Sequence, residues 1–202
     1  MAAAIAAPTS SARTTPAAAR RGRTVEPLTE ACPPEGLYVH FPFCVSLCPY
    51  CDFVVVAGAA ARGPRSRTRA FVEALDVELA LRAEEVRSRF AVRSPLGSVY
   101  LGGGTPSLMH VAAVGSLLAT IDEQLGLAPE AEVTLEANPG ADEIGDLAGF
   151  RAAGVNRLSI GAQSLSDGEL RRLGRRHRAG DVATAVSAAR AAGFGSVSLD
   201  LL

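Results

Sequence analysis

From Leu37 onward, apolar positions switch between two spacings. Five short runs carry strand chemistry: LYVHF at 37–41, GSVYL at 97–101, EVTLEA at 132–137, VNRLSI at 155–160 and SVSLDLL at 196–202. Between the first two, Val72, Leu75, Leu79, Ala83, Val86 and Phe90 recur at three- and four-residue steps, which predicts a long helix over 66–90. Thr105-Pro106-Ser107 predicts another helix start, with Thr105 as N-cap and Pro106 at the first helical position. Further helices are expected over 142–153, 167–173 and 181–192. Strands separated by single helices need crossovers, hence a parallel sheet with helices outside it. Five β/α units in succession point to an α/β chain wrapped as a partial barrel. The chain stops inside the fifth strand, where a parallel barrel would have an open edge. The expectation is the N-terminal part of a longer protein.

Alternation within the strands separates two faces. Thr134 and Glu136 lie opposite Val133 and Leu135; Ser198 and Asp200 lie opposite Val197 and Leu199. The apolar set is expected on the helix side and the polar set in the lumen. Glu136 and Asp200 fall near the carboxyl ends of their strands, where parallel folds carry ligand sites, and Gln163 follows the fourth strand by three residues. Taken alone, each is better accounted for as a capped strand end than as a ligand contact.

Residues 1–30 show no core pattern. Up to Val25 there is no Asp or Glu, several Arg, and much Ala, Ser, Thr and Pro. That composition is a disordered tail; an organellar transit peptide shares it. The expected division is a tail over 1–33 and a core domain over 34–202. With 202 residues, 48% of them hydrophobic, the chain can bury one sizeable core. A formal net charge of −1 argues against a nucleic-acid surface. No apolar run approaches the ~18 residues of a membrane-spanning helix. The protein is expected to be soluble and cytoplasmic. All 20 basic residues are Arg, so the Arg-Arg pairs at 20–21, 171–172 and 175–176 carry little weight singly.

The chain has 4 cysteines, and Cys44, Cys48 and Cys51 share one short stretch, CVSLCPYC. Cys32 stands apart before Pro33-Pro34 and is taken as incidental. Clustered cysteines in a chain without a secretory signal point to metal or redox chemistry. A dithiol oxidoreductase needs only Cys48-Pro-Tyr-Cys51 at a helix N-terminus, which leaves Cys44 and four further β/α units unexplained. A structural zinc site needs a fourth ligand, for which His40 on the first strand is the candidate. A [4Fe–4S] cluster held by three thiolates needs only the C-x3-C-x2-C spacing and leaves one iron open for substrate chemistry. Gly102-Gly-Gly-Thr-Pro106 follows the second strand directly, and its glycines let backbone approach a ligand closely. A tight strand-to-helix turn explains it too.

The C-x3-C-x2-C spacing with Tyr50 before the last cysteine resembles the radical S-adenosylmethionine (radical SAM) superfamily. That resemblance implies a full or partial (β/α) barrel, with SAM on the open iron and an electron from the cluster cleaving it to a 5′-deoxyadenosyl radical. Tyr38-Val-His-Phe-Pro-Phe-Cys44, GGGTP, Glu136-Ala-Asn-Pro, Ser159-Ile-Gly-Ala-Gln-Ser164 and Leu199-Asp200 narrow it further. Over 37–202 the chain resembles the oxygen-independent coproporphyrinogen III oxidase-like family, which includes HemW-type haem chaperones. The resemblance implies SAM contacts from Tyr38, Gly103, Gly104, Thr105, Glu136, Gln163, Arg175 and Asp200, with Tyr50 beside the adenine. It also implies haem or a porphyrin as ligand, an electron donor such as flavodoxin or ferredoxin, and a haem-acceptor protein. The decarboxylating branch carries another cysteine two residues after the third; here that position is Phe53. Cys51-Asp-Phe, Gln163-Ser164 and His177 look like the chaperone branch. No haem is assigned to His40, His110 or His177.

Overall fold

The computed structural model describes residues 32–63, 66–90 and 94–202. The tail expected over 1–30, with its Arg20-Arg21 pair, lies outside them.

The described chain runs β1 (Gly36–Phe41), β2 (Phe43–Cys44), β3 (Val56–Ala57), α1 (Thr68–Arg89), β4 (Leu96–Gly103), α2 (Val111–Leu125), β5 (Leu127–Ala137), α3 (Leu147–Ala152), β6 (Arg157–Gln163), α4 (Asp167–Arg172), α5 (Ala179–Ala191) and β7 (Ser196–Leu201). The main sheet is parallel throughout, in the order β1-β4-β5-β6-β7. Each new strand joins the same edge. By the right-handed crossover rule such an order sets the connecting helices on one face of the sheet, as in a barrel wall. Consecutive helices touch: α1 with α2, α2 with α3, and α3 with α5.

The two faces follow the alternation in the strands. Val39, Phe41, Val99, Leu101, Val133, Leu135, Leu158 and Ile160 are buried in one apolar cluster with Val114, Leu117 and Ile121 of α2. On α1, Leu79 and Ala83 are buried, and Val72 and Leu75 pack at its margin, so the expected stripe is the one that docks. The opposite face is polar and bonded across strands. Arg157 donates to Thr134 Oγ1 (3.2 Å) and Ser198 Oγ (3.1 Å), and Ser159 donates to Asp200 Oδ1 (2.9 Å).

Two expected helices change. The helix expected over 142–153 shrinks to α3. Arg176 draws the Asp142 carboxylate outward at 2.7 Å, Gly145 takes φ +75°, and Asp146 caps the new start by accepting from Gly149 N at 2.9 Å. The helix expected at Thr105 is only a 3-10 turn at Pro106–Leu108, and α2 begins at Val111. The Thr105 hydroxyl makes no cap bond; Asn138 and Cys44 occupy it instead.

Leu135 is fully buried on the central strand β5. Leu135→Ala should lower unfolding free energy by about 2–5 kcal/mol, measured by urea denaturation. Exposed Leu81→Ala on α1 should stay within about 0.5 kcal/mol of the parent.

Candidate active site: a three-cysteine cavity

The cysteine loop lies across the carboxyl end of the sheet. Cys44 ends β2, whose ladder with β3 pairs Cys44 with Ala57. Cys51 N donates to Cys48 O at 3.0 Å and closes Cys48-Pro-Tyr-Cys51 into a turn. Residues 45–55 contain no helix. The helix N-terminus that a dithiol oxidoreductase uses to acidify its thiol is therefore missing here. Both ring nitrogens of His40 are engaged, Nδ1 with Tyr38 Oη at 2.9 Å and Nε2 with Val54 O at 3.0 Å, so it is not the fourth ligand of a zinc site.

The three thiols are free, half-buried, and line one cavity of about 440 Å³. Burial pushes the Cys44 thiol up; a hydrogen bond from Thr105 opposes this, and Cys51 and Cys48 add to the rise. Three soft sulfur donors lining one cavity suit a shared cationic iron–sulfur group.

The glycine run supplies the opposite wall. Gly103 has φ +107°, a left-handed region that favours glycine, and its N–H donates to Glu136 Oε2 at 2.9 Å. A Cβ on Gly104 would stand 2.6 Å from Phe43 O and 3.0 Å from Cys44 Sγ. Only glycine lets β4 meet the cysteine loop there.

Acidic and amide groups from β5, β6 and β7 complete the cavity. Glu136 accepts from Tyr100 Oη at 2.8 Å as well as from Gly103; burial raises its carboxyl, and both hydrogen bonds oppose the rise. Burial, then the bond to Glu136, pushes the Tyr100 phenol up to about 12. The β6–β7 register breaks between Ile160 and Gln163, and Gln163 takes φ 62°, the one positive value of a non-glycine residue among the described residues. Asp200 is held by Ser159.

Arg175, in the basic run after α4, turns inward. Its Nη1 donates to Cys48 Sγ and Tyr50 Oη, both at 3.4 Å, and its Nη2 to Gly161 O at 2.9 Å and to Asn138 Oδ1. Its Nε is buried without a partner. A guanidinium that lines a cavity is a place for an anionic group of a ligand. Behind it, Arg176 pairs with Asp142 (2.7 Å) and Glu143 (3.2 Å), and Arg62 reaches Asp142 at 3.3 Å, tying three loops beneath the site.

Cys44, Cys48, Cys51, Tyr50, Gly103, Gly104, Thr105, Glu136, Gln163, Arg175 and Asp200 all line the cavity. Tyr38 does not; its ring stacks on Tyr100, with centroids 6.0 Å apart. Asn138, Tyr100 and Ser159 orient these groups but were not among the sequence candidates. For Asn138 a signal existed: an amide directly after a strand end and before Pro139.

The radical SAM superfamily model matches residues 38–202, and the chain belongs to that superfamily. Among curated proteins it is similar to the heme chaperone HemW of Haemophilus influenzae, 38% identical over 170 residues, covering 84% of this chain and 43% of the relative. It is also similar to the mouse radical S-adenosyl methionine domain-containing protein 1, mitochondrial, 39% identical over 191 residues, covering 92% and 41%. Among solved structures, coproporphyrinogen III oxidase (HemN) from Escherichia coli, described as a radical SAM enzyme, superposes with a TM-score of 0.70 at 28% identity, covering 83% of this chain and 37% of that one. The chain thus spans about two-fifths of these relatives' length, and within it the partial radical SAM barrel is shared. No helix among the described residues is long and apolar enough to cross a membrane.

His177 stands just outside the cavity, buried, with Nε2 donating to Ala162 O at 3.1 Å and Nδ1 unpartnered. Burial, then Arg175, holds it below the usual histidine range. Between its folded pKa and the unfolded value of about 6.5 the unfolded chain binds more protons, so stability falls as pH drops through that window. Urea titrations from pH 7.5 to 5 should show that slope. His177→Gln should flatten it.

Proposed function

We propose that the chain holds a [4Fe–4S] cluster on Cys44, Cys48 and Cys51, binds SAM beside it, and belongs to a HemW-type haem chaperone that takes up haem and passes it to acceptor proteins. One observation supports this most. Three free thiols line the same cavity as Arg175 and the Gly103–Glu136 pair. When bound, the cluster supplies single electrons and SAM is the group that accepts them.

The chain's own residues divide the work of holding SAM. Arg175 offers a guanidinium to its carboxylate. Glu136 accepts two hydrogen bonds already, but a carboxylate has about four lone-pair sites, which leaves room for the amino group beside the glycine backbone of 103–104. Gln163 and Asp200 accept from ribose hydroxyls, Thr105 braces the glycine turn, and Tyr50 lies along the adenine. Tyr38 joins this set on resemblance alone.

Phe53 favours the chaperone over the decarboxylase. It stands where the decarboxylating branch has its additional cysteine, and it lines the cavity with 64% of its surface exposed. The electron donor is a flavodoxin or ferredoxin in this proposal, and the compartment is the reducing cytoplasm, where thiols stay available. The mitochondrial label of the mouse relative makes an organelle the competing placement.

Anaerobic reconstitution should load about four irons per chain, with broad visible absorption from thiolate-held iron. Cys44→Ala should abolish that colour, and full iron retention in the variant would overturn the ligand assignment.

Offered haem, and separately coproporphyrinogen with SAM and a reductant, the protein should bind haem stoichiometrically and form no vinyl product. Turnover to protoporphyrinogen would establish the decarboxylase instead.

A further inference from the structure

We propose that Asn138 is a positioning residue that aims one hydrogen-bond donor at each of two cluster thiolates, Thr105 at Cys44 and Arg175 at Cys48, and thereby raises the cluster's reduction potential. The proposal rests on the cluster assigned to the three cysteines above.

The orientation of the amide is fixed by what surrounds it. Arg175 Nη2 donates to Asn138 Oδ1, and a guanidinium has no acceptor. A flipped amide would set N–H against N–H. With Oδ1 toward Arg175, Nδ2 must face Thr105, and it donates to Thr105 Oγ1 at 3.1 Å. The hydroxyl then spends a lone pair on Asn138 and directs its own proton elsewhere. Cys44 Sγ, at 3.7 Å, is the acceptor in reach. Thr105 is buried, so water does not compete for that proton.

The same amide steadies the second donor. Arg175 Nη2 is clamped between Asn138 and Gly161 O, which leaves Nη1 pointing at Cys48 Sγ at 3.4 Å. Gly161 makes room for this pair: a Cβ there would stand 3.1 Å from Asn138 Oδ1 and 3.4 Å from Arg175 Nη2. One side chain of β5's exit thus orients donors carried by the turn after β4 and the loop after α4. Donors to thiolate sulfur stabilise the more negative state of an iron–sulfur couple, and outer hydrogen-bond partners tune metal groups in general. Losing them lowers the potential.

The test measures the one-electron midpoint of the reconstituted cluster at an electrode with mediators, at fixed pH and without SAM, alongside iron content. Thr105→Val, which keeps shape and loses the hydroxyl, should shift the midpoint negative at full iron content. Thr105→Ser should restore it. Asn138→Leu should shift it at least as far, and Thr105→Val should add nothing further in the Asn138→Leu background, because the hydroxyl there is no longer directed. If Asn138→Leu fails to hold iron, Asn138→Asp serves the same comparison. Its carboxylate still accepts from Arg175, but it turns the Thr105 proton away from Cys44. Midpoints equal to wild type in the Asn138 variant that retains iron, or a Thr105→Val shift of the same size with and without the Asn138 change, would overturn the proposal alone. A wild-type protein that takes up no iron would overturn the cluster assignment and this proposal together.

Discussion

Gly104 has space for a hydrogen atom and nothing larger. Its backbone N–H donates to Phe41 O at 2.7 Å, and the next residue's N–H donates to Phe43 O at 2.8 Å. These two bonds fasten the exit of β1 and the start of the cysteine loop onto the end of β4. The missing side chain is what allows Cys44 Sγ to sit directly above. Three further groups of the cavity are tied to that junction by hydrogen bonds. Glu136 reaches it through Gly103 N, Asn138 through Thr105, and Arg175 through Asn138.

The sheet makes this junction useful. Because strands are added only at one edge, helices cover one face and the other keeps its polar side chains. Thr134, Arg157, Ser159, Ser198 and Asp200 hydrogen-bond to one another across three strands, which keeps the polar face satisfied. Among the described residues, the buried side-chain atoms left without a partner are Arg175 Nε and His177 Nδ1, both in the loop after α4.

Periodicity made the scaffold legible. The strands fall at or within a few residues of their expected positions because each carries a short apolar run of β-branched and large residues, and α1 follows its apolar stripe. The cavity residues were legible through their place at strand ends. What periodicity could not carry was competition for side chains. Thr105 has the chemistry of an N-cap, and Asp142 the chemistry of a helix start, yet each is claimed by a partner distant in sequence, Asn138 and Arg176 respectively. Arg175 illustrates the same limit from the other side. The resemblance named it as a ligand contact while the arginine-rich run around it also fitted a solvated helix end, and tertiary geometry separates it from exposed Arg171 and Arg172. The two-residue ladder of β2 and β3 is too short to leave a pattern at all.

The central claim is that three thiolates hold a cluster with one iron left open to SAM. Electron paramagnetic resonance of the reduced, reconstituted protein tests it most directly. Addition of SAM should move the cluster's g values, since a new ligand at the open iron alters its field. A spectrum that SAM leaves unaltered, at full iron content, would contradict the account.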